Sequence, residues 1–180
     1  MLETSVRWNA RNYATRFNVG LGNHHYVLIV CGPEEFEGSF LRIKHKDHQF
    51  FTLGGFEREG NLVFLQNNKS DIESAREFLD GESLLDTINP FDWGTQSNRV
   101  ASPNRSASSF ASLICRLARN YRENTFKTPY PYTLTNSNCS AWVNTLFSVA
   151  GVPKEQRVLH GEFRGIDWGE EDYIPKELFQ

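Results

Sequence analysis

Apolar residues in the first third of the chain follow patterns typical of β-strands. Residues 26–31, YVLIVC, form the longest uninterrupted apolar run, and Gly22-Asn23 and Gly32-Pro33 bound it. A short β-branched run between turn residues predicts a buried strand. Further strands are predicted at residues 40–44 and 49–53, as a hairpin around Lys46-Asp47, and at residues 61–66 after a break at Gly54-Gly55. We expect these strands to form an antiparallel sheet.

Helical spacing dominates the rest of the chain. Ser70 and Glu73 form a capping-box pattern ahead of a helix that Gly81 ends. A second helix is predicted from apolar residues at positions 110, 113, 114, 117, 118 and 121, with arginines on its other side. A third is predicted from Asn138 to Ala150, with Gly151 and Pro153 as its stop. Residues 82–105 are expected to be a loop or lid, and residues 154–180 an irregular wrap over the surface.

These patterns predict a single α+β domain at residues 1–180, with the sheet packed against two helices. A chain of 180 residues with 39% hydrophobic content can bury a core without disulfides or a structural metal. The formal net charge of −3 does not indicate binding to nucleic acid, which requires an excess of positive charge. We expect no membrane span, since the longest apolar run is far too short, and no Sec signal, since the polar start lacks an apolar segment.

The three cysteines are candidates for chemistry rather than for disulfide bonds. Cys31, Cys115 and Cys139 are odd in number and widely spaced, which predicts reduced thiols. Cys31 and Cys115 fall in apolar strand and helix patterns and are expected in the core. Cys139 falls in the first turn of the third predicted helix, where backbone N–H groups lower the pKa of a thiol and can bind an oxyanion. Cys139 is therefore the candidate nucleophile.

The segment from Asn138 to Val152, NCSAWVNTLFSVAGV, resembles the nucleophile helix of the NlpC-type papain-like cysteine peptidases. Asn138 stands where the cell-wall members usually have Asp, and Trp142 is bulkier than their usual residue. Only 41 residues follow Cys139 (180 − 139 = 41), and His160 is the only histidine among them. His24-His25-Tyr26-Val27, the segment 50–56 (FFTLGGF) and Tyr132-Thr133-Leu134 precede it instead. This order is similar to that of the circularly permuted branch of the family.

The resemblance implies a papain-like fold in which an upstream histidine is the base for Cys139. His24 and His25 both start the buried strand, and their side chains alternate between its faces. The spacing of the permuted members favours His24, whereas that of other branches favours His25. A third polar group usually orients the imidazole, and His45, His48 and Gln49 of the neighbouring hairpin are the candidates. A metal site among these histidines and Cys31 is disfavoured because no zinc spacing is present.

The predicted function is therefore a cysteine hydrolase, an amidase or endopeptidase or an acyl-transfer enzyme, that needs no cofactor or metal. The resemblance implies peptidoglycan peptides as substrate. Without a Sec signal, this implies an effector toxin exported by a signal-independent system, with secretion-system and immunity proteins as partners. The alternatives are an acyltransferase or thiol hydrolase acting on lipids or proteins, and a non-catalytic binding module that uses the aromatic segment Phe91 to Trp93.

Overall fold

The computed structural model describes residues 10–19, 22–32, 40–81, 95–157 and 174–180 of the chain. Its strands are β1 (Arg11–Val19), β2 (Gly22–Cys31), β3 (Ile43–His45), β4 (His48–Arg58), β5 (Asn61–Gln66) and β6 (Gln96–Arg99). Its helices are α1 (Lys69–Gly81), α2 (Ala107–Lys127), α3 (Cys139–Val149) and α4 (Lys154–Arg157), with a 3₁₀ turn at Lys176–Phe179. The mixture of sheet and helices confirms the predicted α+β class.

The strands form one antiparallel sheet in the order β3-β4-β2-β1-β6, and β5 pairs with the far half of β4. In the β1–β2 hairpin, Phe17 lies opposite His24. The β2–β4 pairing runs from Cys31 and Gln49 to Val27 and Leu53. Beyond Leu53, β4 pairs with β5 instead. Residues 22–26 of β2 therefore pair with β1 on one side, and their other edge faces away from β4.

Helices cover both faces of the sheet. On one face, Tyr26, Leu28 and Val30 pack with Ala75 and Leu79 of α1. On the opposite face, the intervening strand residues pack against α2 and α3 in the larger cluster, which includes Val27, Ile29, Phe110, Ile114 and Trp142. Burial on both faces explains why β2 is a continuous apolar run rather than an alternating one.

Three parts of the predicted sheet were wrong. The Gly54-Gly55 break is absent, because β4 runs through both glycines. A Cβ atom at Gly55 would lie 2.8 Å from Trp142 Cβ, so this glycine lets α3 approach the strand. Strands β1 and β6 were also not predicted, and β6 (QSNR) lies inside the expected loop. Polar sequence does not prevent edge pairing, since β6 bonds to β1 through its backbone.

The helix predictions fared better. Helices α2 and α3 lie where the apolar spacing placed them, with Ser106 and Asn138 as their N-caps. Helix α1 begins at Lys69 rather than after Ser70, because Asn68 Oδ1 accepts the Ser70 N–H at 3.0 Å. Of the predicted surface wrap, α4 and the 3₁₀ turn are described, and Phe179 in that turn is fully buried. Within the described ranges, no helix is long and apolar enough to cross a membrane.

Candidate active site

The candidate nucleophile occupies the first residue of α3. Asn138 caps this helix, since its Oδ1 accepts the Ala141 N–H at 3.1 Å. Its Nδ2 also donates to the Leu134 carbonyl at 2.7 Å, which fixes the turn ahead of the helix. Within the described residues, the N–H groups of Cys139 and Ser140 have no acceptor. Cys139 therefore lies beside two free donors at the positive end of the helix dipole.

The edge of β2 that faces away from β4 lies against Cys139. The Sγ atom is 4.0 Å from the Asn23 carbonyl oxygen, and the His25 backbone N–H interacts with the thiol. The side chain of His24 also contacts the thiol. Because neighbouring residues of a strand point to opposite faces, His24 brings its ring to this contact and His25 brings its backbone.

A buried carboxylate lies on the other side of the imidazole. Asp71 in the first turn of α1 is fully buried, and its Oδ1 is 3.1 Å from His24 Nε2. Among the described residues, neither carboxylate oxygen has a partner with hydrogen-bond geometry, so the ion-pair contact with His24 is what compensates for the burial of Asp71. A Cβ atom at Gly54 would lie 3.2 Å from Asp71 Oδ2, so this glycine leaves room for the carboxylate. With Nε2 facing Asp71, the ring has Nδ1 to offer the thiol.

Aromatic rings surround the imidazole on the α1 face of the sheet. The ring of Phe56 lies 4.6 Å from that of His24 between centroids, and that of Phe17 lies 5.4 Å away. Tyr26 is stacked at 6.4 Å. These neighbours exclude water from the ring, and this burial by itself disfavours the protonated form.

The electrostatics of Cys139 and His24 favour a thiolate–imidazolium pair. Burial by itself lowers the pKa of His24, but its contacts with Asp71 and Cys139 raise that pKa from 6.5 to about 10. Burial raises the pKa of Cys139, yet contacts with His24, the His25 N–H and Ser140 bring it below 9.0. Burial raises the pKa of Asp71, and the nearby His24 opposes that shift. A proton on His24 and a charge on Cys139 therefore stabilise each other.

The other two thiols show what burial does without such partners. Cys115 is fully buried on α2, and Cys31 ends β2 beside the same core, as predicted. Burial raises the pKa of Cys31 to about 11 and that of Cys115 to about 12. Cys139 differs from them in the partners that surround it, and not in being buried.

A tyrosine completes the near surroundings of the thiol. Backbone bonds from Tyr132 to Gly60, at 2.9 Å, and from Leu62 to Tyr130, at 2.8 Å, hold this segment beside the β4–β5 hairpin. Burial and then the nearby Cys139 and Glu57 charges raise the pKa of the Tyr132 phenol, which therefore stays protonated. The phenol is therefore available as a hydrogen-bond donor at neutral pH.

The structure does not place the predicted orienting residues near His24. Gln49 pairs with Cys31, seven residues along β2 from His24 (31 − 24 = 7), which is about 23 Å at strand spacing. His48 pairs with His45, which contacts Asp80 at 2.7 Å. These three are corrected in favour of Asp71 as the neighbour of the imidazole. The sequence did contain a signal for Asp71. This residue precedes Ala75 by four positions and Leu79 by eight, which places it on the buried side of the helix.

Other candidates fall outside this constellation. His160 and the segment Phe91 to Trp93 lie outside the described residues. Within the described part of the chain, no three His, Cys, Asp or Glu side chains are gathered as a metal site would require.

Comparison of the chain with protein-family models, with curated proteins and with solved structures found no match.

Proposed function

We propose that the chain is a cysteine hydrolase on a permuted papain-like fold, with Cys139 as nucleophile, His24 as base and acid, and Asp71 orienting the imidazole. One observation carries the proposal. Three residues from distant parts of the sequence, on α3, β2 and α1, meet in the order thiol, imidazole, carboxylate, and the pKa values of the first two shift toward the ion pair. This is the arrangement that activates a cysteine for covalent catalysis.

In the proposed reaction, the Cys139 thiolate attacks a carbonyl carbon of the substrate. The oxyanion that forms accepts hydrogen bonds from the backbone N–H groups of Cys139 and Ser140 at the start of α3. The leaving group takes the proton of His24, and the acyl-enzyme remains. His24 then accepts a proton from water, which cleaves the thioester. Asp71 stabilises the imidazolium and holds the ring through Nε2.

This chemistry also assigns the two histidines different roles. His24 is the proposed base because its ring contacts both the thiol and Asp71. His25 supports the thiolate through its backbone N–H, which any residue other than proline would provide at this position. The retained constellation favours an enzyme over a non-catalytic binding module.

Competitive alkylation tests the proposal, because the chain holds three thiols of its own to compare. Iodoacetamide at neutral pH is expected to modify Cys139 at least about tenfold faster than Cys31 or Cys115, as peptide mass spectrometry would report. His24→Gln is expected to abolish this selectivity, and His25→Gln to preserve it. Equal rates for the three thiols, or equal effects of the two substitutions, would contradict the proposal.

The substrate and export route implied by the resemblance stay predictions. Digestion of purified muropeptides, with the Cys139→Ala protein as control, addresses the cell-wall substrate directly.

A further inference from the structure

Asp71 depends on its helix for its position beside the imidazole. Its carboxylate lies 3.1 Å from His24 Nε2, and among the described residues neither of its oxygens has a partner with hydrogen-bond geometry. No hydrogen bond from another described residue therefore holds the carboxylate in place. The distance between Asp71 and His24 is set instead by how α1 lies against β2.

Apolar packing by itself defines the position of α1 only loosely. Ala75 and Leu79 of this helix pack in one cluster with Leu28 and Val30 of β2. Such contacts are non-directional, so they favour the burial of this helix face without favouring a single position along the strand. Polar contacts depend on both distance and angle, and they define a position more closely.

A pair of hydroxyl groups ties α1 to β2 one helical turn from Asp71. Tyr26 is fully buried, and its hydroxyl oxygen lies 3.0 Å from Ser74 Oγ, so one of the two groups donates to the other. Ser74 Oγ also lies 2.5 Å from Thr95 Oγ1. Burial raises the pKa of the Tyr26 phenol, which therefore keeps its proton. We call Tyr26 and Ser74 the hydroxyl pair.

The hydroxyl pair lies next to the contact between Asp71 and His24 on both elements. On β2, His24 and Tyr26 are two residues apart and share a face, and their rings are stacked at 6.4 Å. On α1, Asp71 and Ser74 are three residues apart and both are buried. Helix and strand thus meet at two neighbouring points. The hydroxyl pair at one point fixes where Asp71 can lie at the other.

A second polar contact of α1 with the sheet is less suited to this role. Asp80 contacts His45 at 2.7 Å, but it lies nine residues after Asp71 (80 − 71 = 9), which is about 13.5 Å along the helix. The Asp80 side chain is also 44% exposed. An exposed pair at the far end of the helix contributes little to the placement of its first turn.

We infer that Tyr26 is a positioning residue of the candidate site, whose hydroxyl holds α1 through Ser74 so that Asp71 meets the imidazole. This inference rests on the proposed function and adds to it a residue that acts through Asp71 rather than on the reacting atoms. A phenylalanine would fill the same buried space and keep a ring beside His24. The hydroxyl is therefore the part of Tyr26 that apolar packing does not explain.

Tyr26→Phe tests the inference, and Tyr121→Phe is its matched control. Tyr121 is a second fully buried tyrosine, whose hydroxyl donates to the Leu62 carbonyl at 2.7 Å. It belongs to the cluster on the opposite face of the sheet. Each variant keeps its aromatic ring and loses one buried hydroxyl, so the two are matched in what they remove from the core. In Tyr26→Phe, Ser74 still has Thr95 as a partner.

The readout is the pH dependence of Cys139 alkylation by iodoacetamide, with the other two thiols of the chain as internal standards. In Tyr26→Phe, the pH midpoint for Cys139 should rise by about one unit and its rate at neutral pH should fall about threefold, because Asp71 supports the imidazolium less well. Tyr121→Phe should leave both unchanged. Ser74→Ala removes the other half of the hydroxyl pair and should give the same rise as Tyr26→Phe.

A double variant shows whether the hydroxyl acts through Asp71. In the Asp71→Asn background, Tyr26→Phe should cause no further change in the pH profile, since the contact that it supports is already lost. An equal shift in both backgrounds, or an equal shift in Tyr26→Phe and Tyr121→Phe, would overturn the inference. A wild-type profile in both Tyr26→Phe and Ser74→Ala would overturn it as well.

The outcomes separate this inference from the proposed function. Selective alkylation of Cys139 that depends on His24 but is unchanged in Tyr26→Phe would overturn the positioning role alone. Alkylation of Cys139 in the wild type that is no faster than that of the other two thiols would overturn the proposed function and this inference with it.

Discussion

Removing the charge of Asp71 tests the electrostatic core of the candidate site. In Asp71→Asn, the side chain keeps its size but no longer favours a proton on His24. Burial lowers the pKa of His24, and in this variant only the contact with Cys139 is left to oppose that effect. We expect that pKa to fall and, because the imidazolium no longer stabilises the thiolate, the pKa of Cys139 to rise.

The magnitude follows from the fraction of Cys139 that is ionised. Burial lowers the pKa of His24, and contacts with Asp71 and Cys139 raise it to about 10, so His24 stays protonated at neutral pH while both contacts are present. A thiol at its ordinary pKa of 9.0 is about 1% ionised at pH 7, so the thiolate fraction can fall up to about a hundredfold. The less acidic thiolate is about tenfold more nucleophilic, which leaves a net loss of about tenfold.

The assay is the rate of Cys139 alkylation from about pH 5 to about pH 10, followed by peptide mass spectrometry. The loss relative to the wild type should increase as the pH falls and should reverse at high pH, where both proteins hold a thiolate and the less acidic one reacts faster. Asp80→Asn is the matched control, because Asp80 is an exposed carboxylate of the same helix that contacts His45. An unchanged pH profile in Asp71→Asn, or an equal loss in Asp80→Asn, would refute this reasoning.

The same substitution should also change stability. Burial raises the pKa of Asp71, so its charge taken alone costs stability as the pH rises through the folded value. The raised pKa of His24 acts in the other direction, since its contribution to stability is present below about pH 6.5 and is lost as the pH rises through about 10. Because removing one partner of a buried pair leaves the other uncompensated, we expect the Tm of Asp71→Asn at neutral pH to lie below that of the wild type, as thermal denaturation by circular dichroism would report. An equal or higher Tm would contradict the pairing of these two side chains.

Two further predictions concern how α3 is held. Gly55→Ala places a methyl group 2.8 Å from Trp142 Cβ and should destabilise the fold by about 1–3 kcal/mol, as urea denaturation would report. The control Gly81→Ala, which has open space around its added methyl group, should not destabilise it. Equal stabilities of the two variants would contradict the close approach of α3 to β4. Asn138→Ala and the matched cap variant Ser106→Ala should each lower the free energy of unfolding by about 1 kcal/mol. Only Asn138→Ala should also slow the alkylation of Cys139. A similar slowing in both variants would count against a role for the Asn138 cap in the site.

The parts of the fold that could be predicted were those in which burial produces a recognisable pattern of apolar residues. Helix α2 has one apolar face against the sheet, and β2 is apolar throughout because both of its faces are covered. Strand β6 has no such pattern, since its four polar residues are held in the sheet by backbone hydrogen bonds to β1. The break predicted at Gly54-Gly55 was wrong because glycine occurs both in turns and where another element packs closely against a strand. Only the position of Trp142 in the fold shows that the second case applies here.

The candidate site divides in the same way. Cys139 and His24 could be proposed from local sequence, because a helix start and a strand start carry recognisable neighbours. Asp71 could not be assigned as their partner, because its proximity to His24 depends on how α1 packs across the sheet. A buried aspartate on an apolar helix face was nevertheless visible, and such a residue lowers stability unless a cation meets it. That cost is itself the argument for a function. Within the described chain, the contact with His24 is what offsets this cost, so the fold keeps a buried charge that stabilises the imidazolium and, through it, the thiolate.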